Sequence, residues 1–99
     1  MLYSIVATDV ENSLQARLAA RPEHVERLKQ LVDQGRLVLA GPNPAIDSAD
    51  PGDAGFSGSI IIADFDSLQD ARDWADSDPY ILSGVYHSVS VKPFKQVLP

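Results

Sequence analysis

The chain has 99 residues, 44% of them apolar, no cysteine, and 14 acidic against 8 basic side chains, for a formal charge of −6. That composition belongs to a single globular domain. It excludes a disulfide framework and a thiolate nucleophile, and it argues against nucleic acid or an anionic membrane surface as partner, since both need clustered Lys and Arg.

The first residues, Met1 to Asp9, lack the basic segment and longer apolar stretch of a secretory leader. No apolar run approaches the ~20 residues that cross a bilayer. A cytoplasmic protein is expected.

Leu2 to Thr8 reads as a short, mostly buried strand rich in Tyr, Ile and Val. Asn12 and Ser13 are candidate N-caps for a helix from about Leu14 to Gln34, which Gly35 ends. Pro22 lies inside it, and its missing donor predicts a kink or a fresh helix start near Arg21. Val25, Leu28, Leu31 and Val32 form an apolar stripe at helical spacing.

Arg36 to Ala40 reads as a second strand and Ser59 to Phe65 as a third. Between them Gly41 to Gly58 is rich in Pro, Gly, Ser and Asp and reads as a long loop, either a solvated surface segment or a functional one. Ser67-Leu68-Gln69-Asp70 resembles a capping box and opens a helix to about Asp76. A fourth strand runs from about Val85 to Lys92, with Val85, His87, Val89 and Val91 on one face.

The order is βαββαβ. Its two split βαβ units predict a four-stranded antiparallel sheet with both helices on one face. Apolar residues on both sides of several strands leave the second face in need of cover, which a partner subunit would supply.

Few side chains can move protons at neutral pH, since only His24 and His87 are histidines. At 100° per residue His24 lies about 40° from Leu28 and about 20° from Leu31, so it faces inward at the edge of the stripe. Arg21 and Arg17 precede it by three and seven residues. On a continuous helix all three line one face, where two cations could hold an anionic or phenolate ligand. The plainer reading is a satisfied, half-buried histidine beside two surface ion pairs.

Asp78 precedes Pro79 and is therefore pushed toward extended backbone. It is a candidate partner for His24, or part of an ordinary acidic helix exit. Asp47, Asp50 and Asp53 lack the spacing of an EF-hand loop, and neither a phosphate-binding glycine loop nor a GxSxG elbow occurs. His87, among valines, reads as a core or interface residue.

Arg17-x3-Arg21-x2-His24-x3-Leu28, Gly35-Arg36-Leu37 and Ala40-Gly41-Pro42 resemble the YciI-like family. So do Ala54-Gly55-Phe56-Ser57-Gly58-Ser59, Trp74-Ala75-x2-Asp78-Pro79-Tyr80, Gly84-Val85-Tyr86 and Val91-Lys92-Pro93-Phe94, which carry the resemblance along essentially the whole chain. It implies a ferredoxin-like α+β fold of the dimeric α+β barrel type, and an active site centred on a histidine and an aspartate, here His24 and Asp78. The broader family includes a dehydrochlorinase acting on chlorinated hydroxyquinols, and muconolactone isomerase shares the fold.

The combined expectation is a small cofactor-independent enzyme, without metal, that performs elimination, isomerisation or a related proton transfer. His24 would be base or acid and Asp78 would orient it. Arg17 and Arg21 would hold a small anionic or cyclic oxygenated ligand, with Gly41, Pro42 and Tyr80 shaping the wall. The competing expectations are a non-catalytic metabolite-binding module on the same dimeric scaffold and a domain acting in protein assembly.

Overall fold

The computed structural model describes all 99 residues, Met1–Pro99. The elements are β1 (Leu2–Asp9), α1 (Leu14–Asp33), β2 (Leu37–Pro44), β3 (Phe56–Asp64), α2 (Leu68–Asp76), α3 (Pro79–Leu82) and β4 (Tyr86–Phe94), with one 3₁₀ turn at Gly52–Ala54. The four strands form one antiparallel sheet in the order β2-β3-β1-β4. This is the expected ferredoxin-like βαββαβ arrangement, with the one-turn helix α3 added.

Tyr3 and Ile5 on β1 and Ile61 and Ala63 on β3 pack with Leu31 of α1, Phe65, and Ala71 and Ala75 of α2 into the main core. A smaller cluster of Ala20, Tyr80 and Val85 lies beside the α1–α3 contact. On the other face of the sheet Val6, Leu39 and Ile60 are exposed, and the register places them together, Val6 opposite Ile60 and Leu39 opposite Ile62.

Local chemistry explains the helix ends. Gly35 at φ +69 follows the C-cap Gln34, and the amides of Gly35 and Arg36 return to the carbonyls of Val32 and Leu31, the paired bonds of a Schellman stop. At α2, Ser67 Oγ accepts from the Asp70 amide at 3.0 Å, half of the anticipated box. Ser13 is the N-cap of α1 but makes no capping bond, because its hydroxyl donates to Asp9 Oδ2 at 2.6 Å.

Five sequence expectations are corrected. The helix α1 continues through Pro22 from Leu14 to Asp33, with no fresh start at Arg21. Leu18 and Pro22 are both exposed, so the carbonyl that loses its partner is not shut away from water. Val32 is 56% exposed and lies off the core stripe.

β2 extends to Pro44, four residues into the anticipated loop, and takes in Pro42. It is an edge strand, where a proline without an amide hydrogen loses no ladder bond on its outer side. Asp78 does not merely end α2, since it caps α3. Finally, Thr8 pairs with Ser88 but Asp9 with Tyr86, so His87 is an extra bulge residue. The bulge breaks the alternation, leaves His87 exposed and puts Tyr86 on the helix-facing side with Val89 and Val91.

Candidate active site

A cavity of about 260 Å³ lies between α1 and the β2–β3 half of the sheet, with α3 at one end. Its apolar wall includes Leu14, Val25, Leu28, Pro42, Phe56 and Ile61. Of the residues singled out in the sequence, Arg17, Arg21, His24, Gly41, Pro42 and Tyr80 all line it. Asp78 does not; it stands behind His24, in contact with the ring.

His24 and Asp78 are 54 residues apart, and the α1–α3 packing joins them. His24 Nδ1 lies 2.8 Å from Asp78 Oδ1 and 2.9 Å from Oδ2, and both side chains are nearly fully buried. A carboxylate only accepts, so Nδ1 carries the hydrogen, and in the neutral form of the ring the lone pair is at Nε2. Nε2 has no protein partner and is not among the fully buried unpaired atoms, which leaves that edge for the cavity.

Asp78 is fixed from three sides. Its Oδ1 accepts the Tyr80 amide at 2.8 Å as N-cap of α3, at φ −65 and ψ 136, the extended backbone that Pro79 imposes. Its Oδ2 has Arg27 Nη1 at 3.6 Å. The Tyr80 ring then stacks on the His24 imidazole, with centroids 3.9 Å apart and planes 11° from parallel.

Arg17 lines the cavity, but its ion pair is buried rather than at the surface. Nε donates to Asp9 Oδ2 at 2.6 Å, and Nη2 reaches Asp9 Oδ1 at 3.0 Å, the Gly58 carbonyl at 2.7 Å and Ser59 Oγ at 2.8 Å. Burial by itself would lower its pKa, but the hydrogen bond and charge of Asp9 outweigh that and raise it. Nη1 makes no hydrogen bond of ordinary geometry within the protein and is not sealed off. Arg21, one turn on, is exposed and has no ion pair. It is the unneutralised charge at the cavity.

The phenols are held neutral. Burial raises the Tyr80 pKa against the opposing charges of Arg17 and Arg21. Burial raises that of Tyr86 much further, with Ser59 opposing it only in part. The Tyr86 hydroxyl is buried without a hydrogen bond of ordinary geometry, and its ring meets Tyr80 edge-on at 5.5 Å.

Sequence reasoning missed Asp9, Ser59, Arg27 and Tyr86. Arg27 was legible as the residue three after His24, on the same helical face. Tyr86 was hidden by the bulge, and nothing local marks Asp9 at the end of an apolar strand. Asp47, Asp50 and Asp53 do not join a group of side chains that could hold a metal ion.

Residues 1–95 match the model of the YCII-related domain. Protein YciI of Escherichia coli O6:H1 is 60% identical over 97 residues, covering 98% of this chain and 99% of that one. The protein named Derivative of benzaldehyde biosynthesis cluster protein C, of Emericella nidulans, is 33% identical over 72 residues, 72% of this chain and 74% of the relative.

Among solved structures, 5-chloro-2-hydroxyhydroquinone dehydrochlorinase from Burkholderia phenoliruptrix AC1100, in complex with 2,5-dihydroxybenzoquinone, superposes with a TM-score of 0.84. It covers 96% of this chain and 94% of its own, at 24% identity. That likeness is one of fold.

Proposed function

The chain belongs to the YCII-related domain family, and we propose that it is a small acid–base enzyme acting on a small anionic or cyclic oxygenated metabolite. The observation that carries this reading is the His24–Asp78 pair, with Nδ1 held by the carboxylate and Nε2 left for the cavity.

In this reading His24 Nε2 takes a proton from a C–H or O–H of the substrate, and Asp78 stabilises the imidazolium that forms. The same nitrogen returns the proton to the departing or rearranged centre. Such transfer accelerates a reaction by about 10²–10⁴-fold. Arg21 and the free Nη1 of Arg17 bind the anionic oxygens. Tyr80 keeps the imidazole plane fixed, and Gly41 and Pro42 form the wall facing α1.

Elimination, isomerisation or a dehydrochlorinase-like step all fit this chemistry and require no group beyond these side chains. The ring ligand of the structural neighbour, a dihydroxylated benzoquinone, belongs to the small oxygenated class that this reading assigns to the cavity.

Two further elements belong to the proposal. The exposed apolar strip of Val6, Leu39 and Ile60 is covered by a second copy in a dimeric α+β barrel. No helix is long and apolar enough to cross a membrane, and the proposed site of action is the cytoplasm.

The test uses 2,5-dihydroxybenzoquinone for binding and 5-chloro-2-hydroxyhydroquinone, with related hydroxylated rings, for conversion. His24→Ala is expected to keep binding within severalfold and to lose conversion by about 10²–10⁴-fold. Arg21→Ala is expected to weaken binding about tenfold, the worth of one charged hydrogen bond. Equal conversion by wild type and His24→Ala would sink the acid–base reading. Binding without conversion of any ring by the wild type would favour a metabolite-binding module.

A further inference from the structure

Arg27 has one guanidinium nitrogen, Nη1, that is buried in the site without a hydrogen-bond partner. It follows His24 by three residues on α1, so the two leave the same face. Nη2 donates to the Trp74 carbonyl at 2.8 Å, and the guanidinium carbon sits 4.3 Å from the centre of the Trp74 ring. These contacts hold its plane against α2. Nη1 is buried without a hydrogen-bond partner, and the anion beside it is Asp78, with Oδ2 at 3.6 Å. Burial lowers the Arg27 pKa and the Asp78 charge opposes that. A cation buried this way is costly in itself, and the group that it faces is the carboxylate serving His24.

Counting charge indicates its effect. Arg27, Asp78 and a neutral His24 sum to zero; protonating the imidazole leaves a buried positive charge. Without Arg27 the balance reverses, because Asp78 and an imidazolium form the neutral set. The other charged and titratable groups around the ring are Arg17 and Arg21 from α1, Tyr80 from α3, Asp9 from β1 and Tyr86 from β4. Arg17 and Asp9 cancel each other, and burial keeps both phenols protonated. Arg27 is the cation that shares its anion with His24.

We propose that Arg27 is a positioning residue for the His24–Asp78 pair, keeping Asp78 ionised and turned to Nδ1 and His24 neutral with an unprotonated Nε2. This rests on reading His24 as the proton acceptor of the cavity. Two contacts through Oδ2 put Nη1 no more than about 6.5 Å from Nδ1. At an effective dielectric of about 20, a unit charge at that separation changes the imidazolium-to-neutral ratio by more than about tenfold.

The test reads the His24 ring nitrogens by ¹⁵N NMR at one fixed pH near neutrality, in wild type, Arg27→Met, Arg27→Lys and Asp78→Asn. Arg27→Met is expected to raise the imidazolium-to-neutral ratio about tenfold or more, and Arg27→Lys, which restores the charge, to return it toward wild type. A role confined to tying α1 to α2 would lower the melting temperature and leave the ratio alone, which would overturn the proposal. If Arg27→Met does not fold, Arg27→Gln reads the same quantity, since it keeps an amide donor for Trp74 without the charge.

Asp78→Asn separates the two claims. Its oxygen serves the Tyr80 amide and its NH₂ meets Nδ1, which drives the ring hydrogen to Nε2. No change of tautomer in that variant would defeat the His24–Asp78 reading itself. A changed tautomer with an unchanged ratio in Arg27→Met would defeat the Arg27 proposal alone.

Discussion

Replacing Asp9 by Asn tests whether the cavity floor is built on a buried ion pair. Asp9 and Arg17 are 1% and 6% exposed at their side chains, and the carboxylate accepts Nε at 2.6 Å, Nη2 at 3.0 Å and Ser13 Oγ at 2.6 Å. Asparagine keeps the shape but removes the charge, and it offers its NH₂ where a carboxylate oxygen had met a donor. The guanidinium is then buried with only Gly58 O and Ser59 Oγ as unaltered acceptors.

Breaking one side of such a pair costs about 3–5 kcal/mol, against a total stability of about 5–15 kcal/mol for a domain of this kind. Urea unfolding should show that loss as a lower midpoint at constant slope. Arg17→Met in the Asp9→Asn background should lose less than the two single changes together, because neither charge is then stranded. A cost below about 1 kcal/mol, the range of a solvent-exposed pair, or strict additivity in the double variant, would refute the reasoning.

Other expectations follow from the same neighbourhood. Gly58→Ala should cost about 1–3 kcal/mol in urea unfolding, since a Cβ there would stand 2.2 Å from the Ala7 carbonyl oxygen and 3.0 Å from Asn43 Oδ1; an unchanged midpoint would show that β1 and β3 can separate locally. Tyr86→Phe removes a buried hydroxyl without an ordinary hydrogen bond, so it should be neutral or stabilising by up to about 1 kcal/mol, and a loss of that size would reveal a partner.

The raised pKa values of Tyr80 and Tyr86 mean that the unfolded chain releases these protons first. Their contribution is therefore complete below pH about 10 and lost above it, by up to about 1.4 kcal/mol per pH unit for each phenol. Unfolding at pH 9 and 11 should show that fall, and it should be smaller in Tyr86→Phe.

Much of this architecture was legible because period and turn chemistry agree over whole elements. The inward tilt of His24 followed from its angle to Leu28 and Leu31, and the end of α1 from Gly35. What was hidden depends on contacts that spacing does not encode. Pro42 and Pro44 look like loop residues until the topology makes β2 an edge. A one-residue bulge at His87 moved Tyr86 across the sheet, which no alternation rule foresees.

Arg17 illustrates the same limit for chemistry. Its helical face was readable, but the acceptors that occupy most of its guanidinium come from β1 and β3, across the sheet. The Asp78 side chain became placeable only once Pro79 was seen to start a new turn of helix rather than only to end the old one.

Neutron diffraction on a deuterium-exchanged crystal of the wild type near neutral pD tests the central claim most directly, because it locates hydrogen on the imidazole. The account predicts deuterium on His24 Nδ1, between the ring and Asp78, with Nε2 bare toward the cavity. Deuterium on Nε2 with a bare Nδ1 would contradict it, because the carboxylate would then not be fixing the ring as a base.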